Sequence, residues 1–151
     1  EDAYTAGKVK AIGVSNFLID DLENLLSHCK IRPMVNQLLI HIGNTPAELI
    51  AYCKEQNIVV EAYSPIAHGE ALKNEIIVAM AQKYGVSVPQ LCIKYVLNLG
   101  TVALPKTANA EHMQNNANLD FEISNEDMET LKSLNFKNYG EYSFFPVFSG
   151  K

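Results

Sequence analysis

Short apolar runs alternate with longer amphipathic ones along the chain, and the short runs have the character of β-strands. Their interiors carry β-branched residues, and turn-forming residues flank them. Most positions on both faces are apolar, which is typical of parallel strands covered by helices. The pattern predicts four strands, over residues 10–15, 34–38, 58–63 and 101–105.

The longer runs have apolar residues at the 3.6-residue spacing of amphipathic helices, and their first residues suggest N-caps. Asp20 with Glu23 is predicted to cap the first helix, and Thr45, which precedes a proline and a glutamate, the second. Gly85 is predicted to end the third helix. The predicted starts of the other helices are Ser87, Asn109 and Ser124.

This succession of strands and helices predicts an α/β fold with a parallel sheet. The strand starts are far enough apart to supply the crossover of a dozen or more residues that parallel neighbours need. Periodicity alone leaves open whether the sheet is open or closes into a barrel.

Polar residues lie at the carboxyl end of each predicted strand, where ligands bind in parallel α/β folds. One such residue is uninformative, since turns favour serine and asparagine in any case. Four pairs in succession, each with an amide, hydroxyl or ammonium group, indicate a lined binding site. The pairs are Ser15-Asn16, Asn36-Gln37, Tyr63-Ser64 and Lys106-Thr107.

Composition excludes several classes of protein. With 151 residues, 48% of them hydrophobic, the chain is not expected to be intrinsically disordered. A net charge of −5 without a run of lysine or arginine argues against nucleic acid or an anionic membrane as a partner. The four histidines show no metal-ligand spacing, so no metal site is predicted. No strand is followed by the glycine fingerprint of Rossmann folds.

The three cysteines are far apart and form no C-x-x-C pair. Cys29, Cys53 and Cys92 lie in apolar helical patterns, so the interpretation is buried thiols in a reducing cytoplasm. No stretch approaches the roughly 18 apolar residues of a membrane span, and the first residues lack signal-peptide character.

The segments that end the strands resemble motifs of the aldo-keto reductases. Residues 13–17 are similar to the family's G-V-S-N-F, 35–37 to its V-N-Q, 62–65 to its A-Y-S-P and 105–107 to its P-K-[ST]. The resemblance runs over essentially the whole chain in the family's order and spacing. It implies a (β/α)8 barrel of TIM type, of which residues 1–151 are one incomplete domain: the last four βα units, a C-terminal helix and a tail.

The resemblance also implies a nicotinamide cofactor, NADP(H) or alternatively NAD(H). Ser15, Asn16 and Gln37 are expected to hydrogen-bond the nicotinamide carboxamide, because amides and a hydroxyl can satisfy its donor and its acceptor. Tyr63 is expected to stack on the nicotinamide ring; the alternative is a core tyrosine at a strand end. Further implied cofactor contacts are Ser64, Pro65 and Ile66 near the pyrophosphate, Lys106 and Thr107 at the 2′-phosphate, and His112, Asn115 and Asn116.

Some positions depart from the family pattern. His112 stands where an arginine is usual, and histidine is mostly neutral at pH 7 with one donor to offer a phosphate. A weaker preference for NADPH over NADH is therefore expected. Asn115 replaces a common acidic residue, whereas Asn116 matches the family's adenine-contacting asparagine. His41 is interpreted as structural.

No catalytic residue can be assigned. In the family, a tyrosine with an aspartate, a lysine and a histidine lies on the first half of the barrel, and none of these four matches this sequence. The resemblance thus implies an NAD(P)H-dependent oxidoreductase of small aldehydes or ketones, with this chain as the cofactor-binding half, inactive alone. Self-association or an N-terminal half is expected to cover the open barrel. The alternative is a catalytically inactive regulatory or interaction subunit of the same fold.

Overall fold

The computed structural model describes residues 1–136, 138 and 139. Its strands lie in one four-stranded sheet in the order β1-β2-β3-β4. β1 and β2 pair in parallel, with Gly13 opposite Val35 and Ser15 opposite Gln37. The strands are β1 (Gly13–Ser15), β2 (Val35–Leu39), β3 (Val59–Tyr63) and β4 (Val102–Leu104). Each overlaps a predicted run, although β2 extends one residue past its predicted end, and the predicted parallel α/β class is confirmed.

The described part of the chain contains seven α-helices and one 3-10 segment. The helices are α1 (Asp2–Thr5), α2 (Ile19–His28), α3 (Ala47–Glu55), α4 (Glu75–Lys83), α5 (Val88–Asn98), α6 (Ala110–Ala117) and α7 (Asn125–Ser133). The 3-10 segment, Ala67–Lys73, is interrupted at His68 and Gly69. α1 and the 3-10 segment were not among the predicted elements, because both are too short or irregular to show a helical period.

Local capping signals located most helix ends correctly. Ser87 caps α5, and its hydroxyl and the side chain of Gln90 form the reciprocal bonds of a capping box. Asn109 accepts hydrogen bonds from two backbone N–H groups of α6, and Ser124 accepts one from α7. Gly85 follows α4 with a positive φ of 66°, a conformation that costs glycine little.

Two predicted caps are wrong. α2 begins after Leu18, whose backbone N–H donates to the Asp21 carboxylate at 2.9 Å, so Asp20 and Glu23 are not its capping pair. α3 begins after Pro46 without a side-chain cap, because the hydroxyl of Thr45 bonds the hydroxyl of Tyr95 at 2.7 Å. In the second case a partner fifty residues away displaced the local bond.

The chain divides into two compact units, and the first comprises Glu1–Leu38 and Pro46–Glu61. Its core contains Leu22 from α2 and Cys53 from α3, both fully buried. Asn36 of β2 is also fully buried, and its side-chain Nδ2 donates to the carbonyl of Phe17 at 2.9 Å. That bond ties the loop after β1 to the neighbouring strand.

Gly13 allows an unusually close approach of β1 to β2. A Cβ at this position would lie 2.7 Å from the carbonyl oxygen of Val35 and 2.9 Å from its Cβ. Because one of those atoms belongs to the backbone, a side chain would force the strands apart. The glycine therefore sets the spacing of the strand pair that carries Ser15 and Gln37.

The second unit comprises Leu39–Thr45 and Ala62–Lys151. Its core is centred on α5, which contributes the fully buried side chains of Leu91, Tyr95 and Val96. Asp127 at the start of α7 is buried and accepts two hydrogen bonds from the Lys83 ammonium, at 2.7 and 2.9 Å, and one from the hydroxyl of Tyr84. The Lys83 and Tyr84 hydrogen bonds hold the pKa of Asp127 below its usual value.

The end of the described chain packs on the turn that follows β2, within the second unit. The backbone N–H of Phe136 donates to the carbonyl of Gly43 at 3.1 Å, and a Cβ on Gly43 would lie 2.4 Å from the Phe136 ring. Gly43 also has a φ of 98°, so this site suits glycine for two reasons. The predicted aromatic tail lies outside the described residues apart from Tyr139, which is buried.

The prediction of buried thiols holds for two of the three cysteines and is wrong for Cys29. Cys53 and Cys92 are buried, Cys29 is half-buried, and all three are free. Burial raises the pKa of the Cys92 thiol to about 12, which keeps it protonated and unreactive at neutral pH.

No single helix among the described residues has both the length and the apolar character needed to cross a membrane. α4 and α5 reach that length and composition only when taken together, and they are bent by 88° at the break between them.

Candidate functional site

A polar group where β1 ends beside β2 is the candidate site in the first unit. The prediction that Asn36-Gln37 ends its strand is wrong, because β2 continues to Leu39 and Gln37 is its middle residue. Ser15 and Gln37 face each other in the parallel register. The Ser15 hydroxyl donates to the backbone carbonyl of Gln37 at 3.0 Å, and the backbone N–H of Asn16 donates to the same carbonyl at 2.9 Å. The structure therefore brings together all three residues expected at a carboxamide.

Asn16 has a left-handed backbone, with a φ of 58°. Asparagine tolerates this region better than most residues because its short side chain can form local hydrogen bonds. The change of direction ends β1 directly after Ser15 and leaves both Ser15 and Asn16 exposed. A serine followed by an asparagine thus forms the strand end and also presents two polar side chains.

The side chain of Gln37 is held by a carboxylate on the next strand. Gln37 Nε2 donates to Glu61 Oε2 at 3.0 Å. Both side chains are half-buried, whereas their strand neighbours Asn36 and Val60 are buried on the opposite face. Glu61 was not among the residues singled out from the sequence, although a carboxylate inside an apolar strand was a signal that could have identified it.

In the second unit, the end of β3 carries Tyr63 and Ser64. The half-buried Tyr63 ring packs against a cluster of Leu39, Ala67 and Tyr139. The Ser64 hydroxyl bonds His68 Nε2 at 3.2 Å, and burial lowers the pKa of His68. Pro65 is buried and Ile66 half-buried, so in this segment Ser64 supplies the polar side-chain atom.

The loop after β4 leads into α6 and contains the remaining predicted residues. Lys106 is exposed, and the hydroxyl of Thr107 accepts from the backbone N–H of Asn109 at 3.1 Å. The Asn109 side chain in turn accepts from the backbone N–H of His112 at 3.3 Å. His112 and Asn115 are exposed on α6, and Asn116 is half-buried.

His41 is a buried structural residue, as interpreted from the sequence. Its Nδ1 lies 2.6 Å from the carbonyl of Ile42, which can only accept, so Nδ1 carries the proton and Nε2 accepts from the Tyr139 hydroxyl at 2.8 Å. Burial lowers the pKa of His41 to about 4 and raises that of Tyr139 to about 12. The pair is therefore neutral at pH 7.

Within residues 1–136, 138 and 139, no group of three or more histidine, cysteine or acidic side chains could hold a metal ion. Apart from single histidines, the polar groups described above are amides, hydroxyls, a carboxylate and an ammonium. Such groups suit hydrogen bonding to an organic ligand and a phosphate better than metal coordination.

Comparison with known proteins identifies the family. A model of the aldo/keto reductase family matches residues 1–135. The chain belongs to the aldo/keto reductase family. The resemblance of its four strand-end motifs is thereby confirmed.

Relatives of known structure or activity agree with this membership of the aldo/keto reductases. The chain is 43% identical over 136 residues to a glyoxal reductase of Bacillus subtilis, a match covering 89% of this chain and 49% of the relative. It is 40% identical over 153 residues to an aldehyde reductase of Saccharomyces cerevisiae, covering 94% and 48%. The crystal structure of a silkworm aldo-keto reductase complexed with NADPH superposes with a TM-score of 0.82 at 34% identity, covering 89% of this chain and 45% of that one. The chain spans about half the length of the curated relatives it matches.

Proposed function

We propose that this aldo/keto reductase chain supplies the cofactor-binding part of an NAD(P)H-dependent reductase of small aldehydes or ketones. The observation that carries the proposal is that Ser15 and Asn16, at the carboxyl end of β1, are joined by hydrogen bonds to Gln37 on the paired parallel strand β2. Support also comes from the relatives, among them a glyoxal reductase, an aldehyde reductase and an enzyme crystallised with NADPH.

The donors and acceptors of the first unit suit a nicotinamide carboxamide. The Ser15 hydroxyl hydrogen is already given to a backbone carbonyl, so Ser15 Oγ faces a ligand as an acceptor. Gln37 uses its amide nitrogen on Glu61, so its amide oxygen is the atom available to accept. Under the proposal, these oxygens accept hydrogen bonds from the carboxamide NH2 group, and the side-chain amide of Asn16 donates a hydrogen bond to the carboxamide oxygen.

The second unit contains the other residues that the family motifs assign to the cofactor, and their contacts are proposed from those motifs alone. Tyr63 stacks on the nicotinamide ring, and residues 64–66 run beside the pyrophosphate. Lys106 and Thr107 offer a cation and a hydroxyl to the 2′-phosphate of NADPH, a combination suited to a dianionic group. His112, Asn115 and Asn116 complete the contacts to the adenosine end of the cofactor.

Cofactor binding and turnover test the proposal separately. We expect the complete protein that carries this sequence to quench NADPH fluorescence on binding, and the Gln37→Leu variant to bind several-fold more weakly because one hydrogen bond is lost. With a small aldehyde such as glyoxal, the complete protein should oxidise NADPH. The 151-residue chain alone should not, because it is expected to lack the acid that protonates the carbonyl.

Two results would contradict this proposal. Absence of NADPH and NADH binding by the complete protein would remove the cofactor role. Binding without turnover of any aldehyde or ketone would favour a regulatory subunit that senses the cofactor. Gln82→Leu, a change of the same type at an exposed position of α4, is a matched control that should leave binding by the quenching assay unchanged.

The chain as printed is also proposed to require a covering partner, either a second copy or the other half of a barrel. Val59 in the first unit is 50% exposed and Val102 in the second is 46% exposed, although both are strand residues of a type usually buried. We expect light scattering after size exclusion to give a dimer or larger species. A monodisperse, cooperatively melting monomer would contradict the expectation.

A further inference from the structure

We propose that Glu61 is a positioning residue for the cofactor: its carboxylate fixes the side-chain amide of Gln37 so that the amide oxygen, and not the nitrogen, meets the nicotinamide carboxamide. The inference rests on the proposed function and deepens it by assigning a role to a residue that the family motifs did not single out. It concerns the first unit alone.

The geometry places the two side chains in direct contact. Gln37 lies on β2 and Glu61 on β3, and the amide nitrogen is 3.0 Å from the carboxylate oxygen. Both side chains are half-buried and lie on the sheet face opposite the buried Asn36 and Val60. Since the backbone carbonyl of Gln37 also accepts from Ser15 and Asn16, both ends of this residue are fixed by neighbours.

The chemistry of the pair gives the amide one orientation. A glutamine amide has a donor face and an acceptor face of nearly equal size, and a half-turn about its last bond exchanges them. A carboxylate only accepts, so the amide nitrogen must face Glu61 and the oxygen must face away from it. An apolar residue at position 61 would leave both orientations open, and a glutamine there could either donate or accept.

The fixed orientation of the Gln37 amide should affect binding of only one part of the cofactor, the carboxamide. With its amide oxygen facing the ligand, Gln37 can accept a hydrogen bond from the carboxamide NH2 group. A methyl group in the same place has no hydrogen bond to donate. Fixing the orientation before binding also avoids the entropy of ordering the side chain. If Glu61 had only the structural role of joining β3 to β2, its replacement would change the affinity for all cofactor analogues equally.

An analogue of the cofactor separates these two roles. In reduced 3-acetylpyridine adenine dinucleotide phosphate, a methyl ketone replaces the carboxamide, so the NH2 donor is absent while the phosphates and adenosine are unchanged. We expect the complete wild-type protein to bind NADPH at least about tenfold more tightly than this analogue, because the NH2 hydrogen bonds to Gln37 and to Ser15 are both lost. In Glu61→Gln the ratio should fall by at least about threefold, mostly through weaker NADPH binding.

Controls keep the result specific. Glu55→Gln makes the same change of charge at an exposed position at the end of α3 and should keep the wild-type ratio. Glu61→Leu, which neither donates nor accepts, should lower the ratio at least as far, and it replaces Glu61→Gln if that variant does not fold. Gln37→Leu should lower the ratio at least as far as the Glu61 variants do, to the discrimination that Ser15 Oγ supplies.

Each outcome decides between the alternatives. A fall in the NADPH-to-analogue ratio in either Glu61 variant supports the positioning role. A wild-type ratio in the variants, or an equal loss of affinity for both ligands, overturns it while leaving the proposed function standing. If the wild-type protein binds neither ligand, the proposed function fails, and the positioning role fails with it.

Discussion

Acidification from pH 6.5 to pH 4 is expected to remove up to about 3 kcal/mol of folding stability through a single side chain, His41. This histidine is fully buried, and burial lowers its pKa from 6.5 to about 4. Its two ring nitrogens are already used as a donor to Ile42 and an acceptor from Tyr139. A second ring proton would have no acceptor at the Tyr139 hydroxyl unless that group turned away.

The direction of this change in folding stability follows from the number of protons bound to His41 in the folded and unfolded states. Between pH 6.5 and pH 4 the unfolded chain has protonated this histidine while the folded chain has not, so protons favour unfolding. The stabilising contribution is therefore complete above pH 6.5 and is lost as the pH falls through the folded-state pKa of about 4.

Urea unfolding of the complete protein at several pH values between 4 and 7 measures this effect. We expect the stability of His41→Gln to fall less steeply with acid than that of the wild type, although the variant is less stable at pH 7. His28→Gln changes an exposed histidine of α2 and should keep the wild-type slope. Parallel pH profiles for the wild type and His41→Gln would show that His41 is not the group responsible.

Replacing Lys106 by alanine is expected to weaken NADPH binding about thirtyfold while changing NADH binding by less than about twofold. The proposed contact is a charge-assisted hydrogen bond to the 2′-phosphate, worth roughly 2 kcal/mol, and NADH has no such phosphate. Lys106 is exposed in the structure, so its removal should cost little folding stability.

Dissociation constants for the two cofactors, measured at one salt concentration because the contact is ionic, check this prediction. Lys132→Ala on α7 changes a lysine whose only described ion pair is with Glu129 and should bind both cofactors as the wild type does. Equal weakening of NADPH and NADH by Lys106→Ala would contradict a 2′-phosphate contact.

His112 sets a limit on the same preference. Histidine binds a phosphate less tightly than arginine does. The wild type should therefore bind NADPH less than roughly a hundredfold more tightly than NADH, a difference of about 2.7 kcal/mol. His112→Arg in the same titrations should increase that preference several-fold. A wild-type preference above a hundredfold would show that other groups hold the phosphate.

Features that depend on neighbouring residues were predictable from the sequence. The capping box of Ser87 and Gln90 involves residues three apart, and its pattern located the start of α5. Polar pairs located the ends of β1 and β3 as well, because a β-branched run that reaches a polar pair is a local signal. The pair Asn36-Gln37 did not locate the end of β2, which continues to Leu39. The motif that ends β1 placed Ser15 and Asn16 where the structure has them.

Features that depend on residues far away along the chain were not predictable from the sequence. Thr45 has the sequence of an N-cap, yet its hydroxyl bonds Tyr95, fifty positions further along the chain. The bond between Gln37 and Glu61 likewise depends on how the strands come side by side. A slip of one residue in that pairing would turn Glu61 to the opposite face of the sheet.

The sequence by itself determined the four strands, the α/β class and the family, since each rests on periodicity or on short motifs read in order. Only the tertiary structure decided that Glu61 faces the amide of Gln37 and that His41 is buried and neutral at pH 7. The physical reason is that donor orientation and desolvation are set by groups far away along the chain, which strand register and core packing bring into contact.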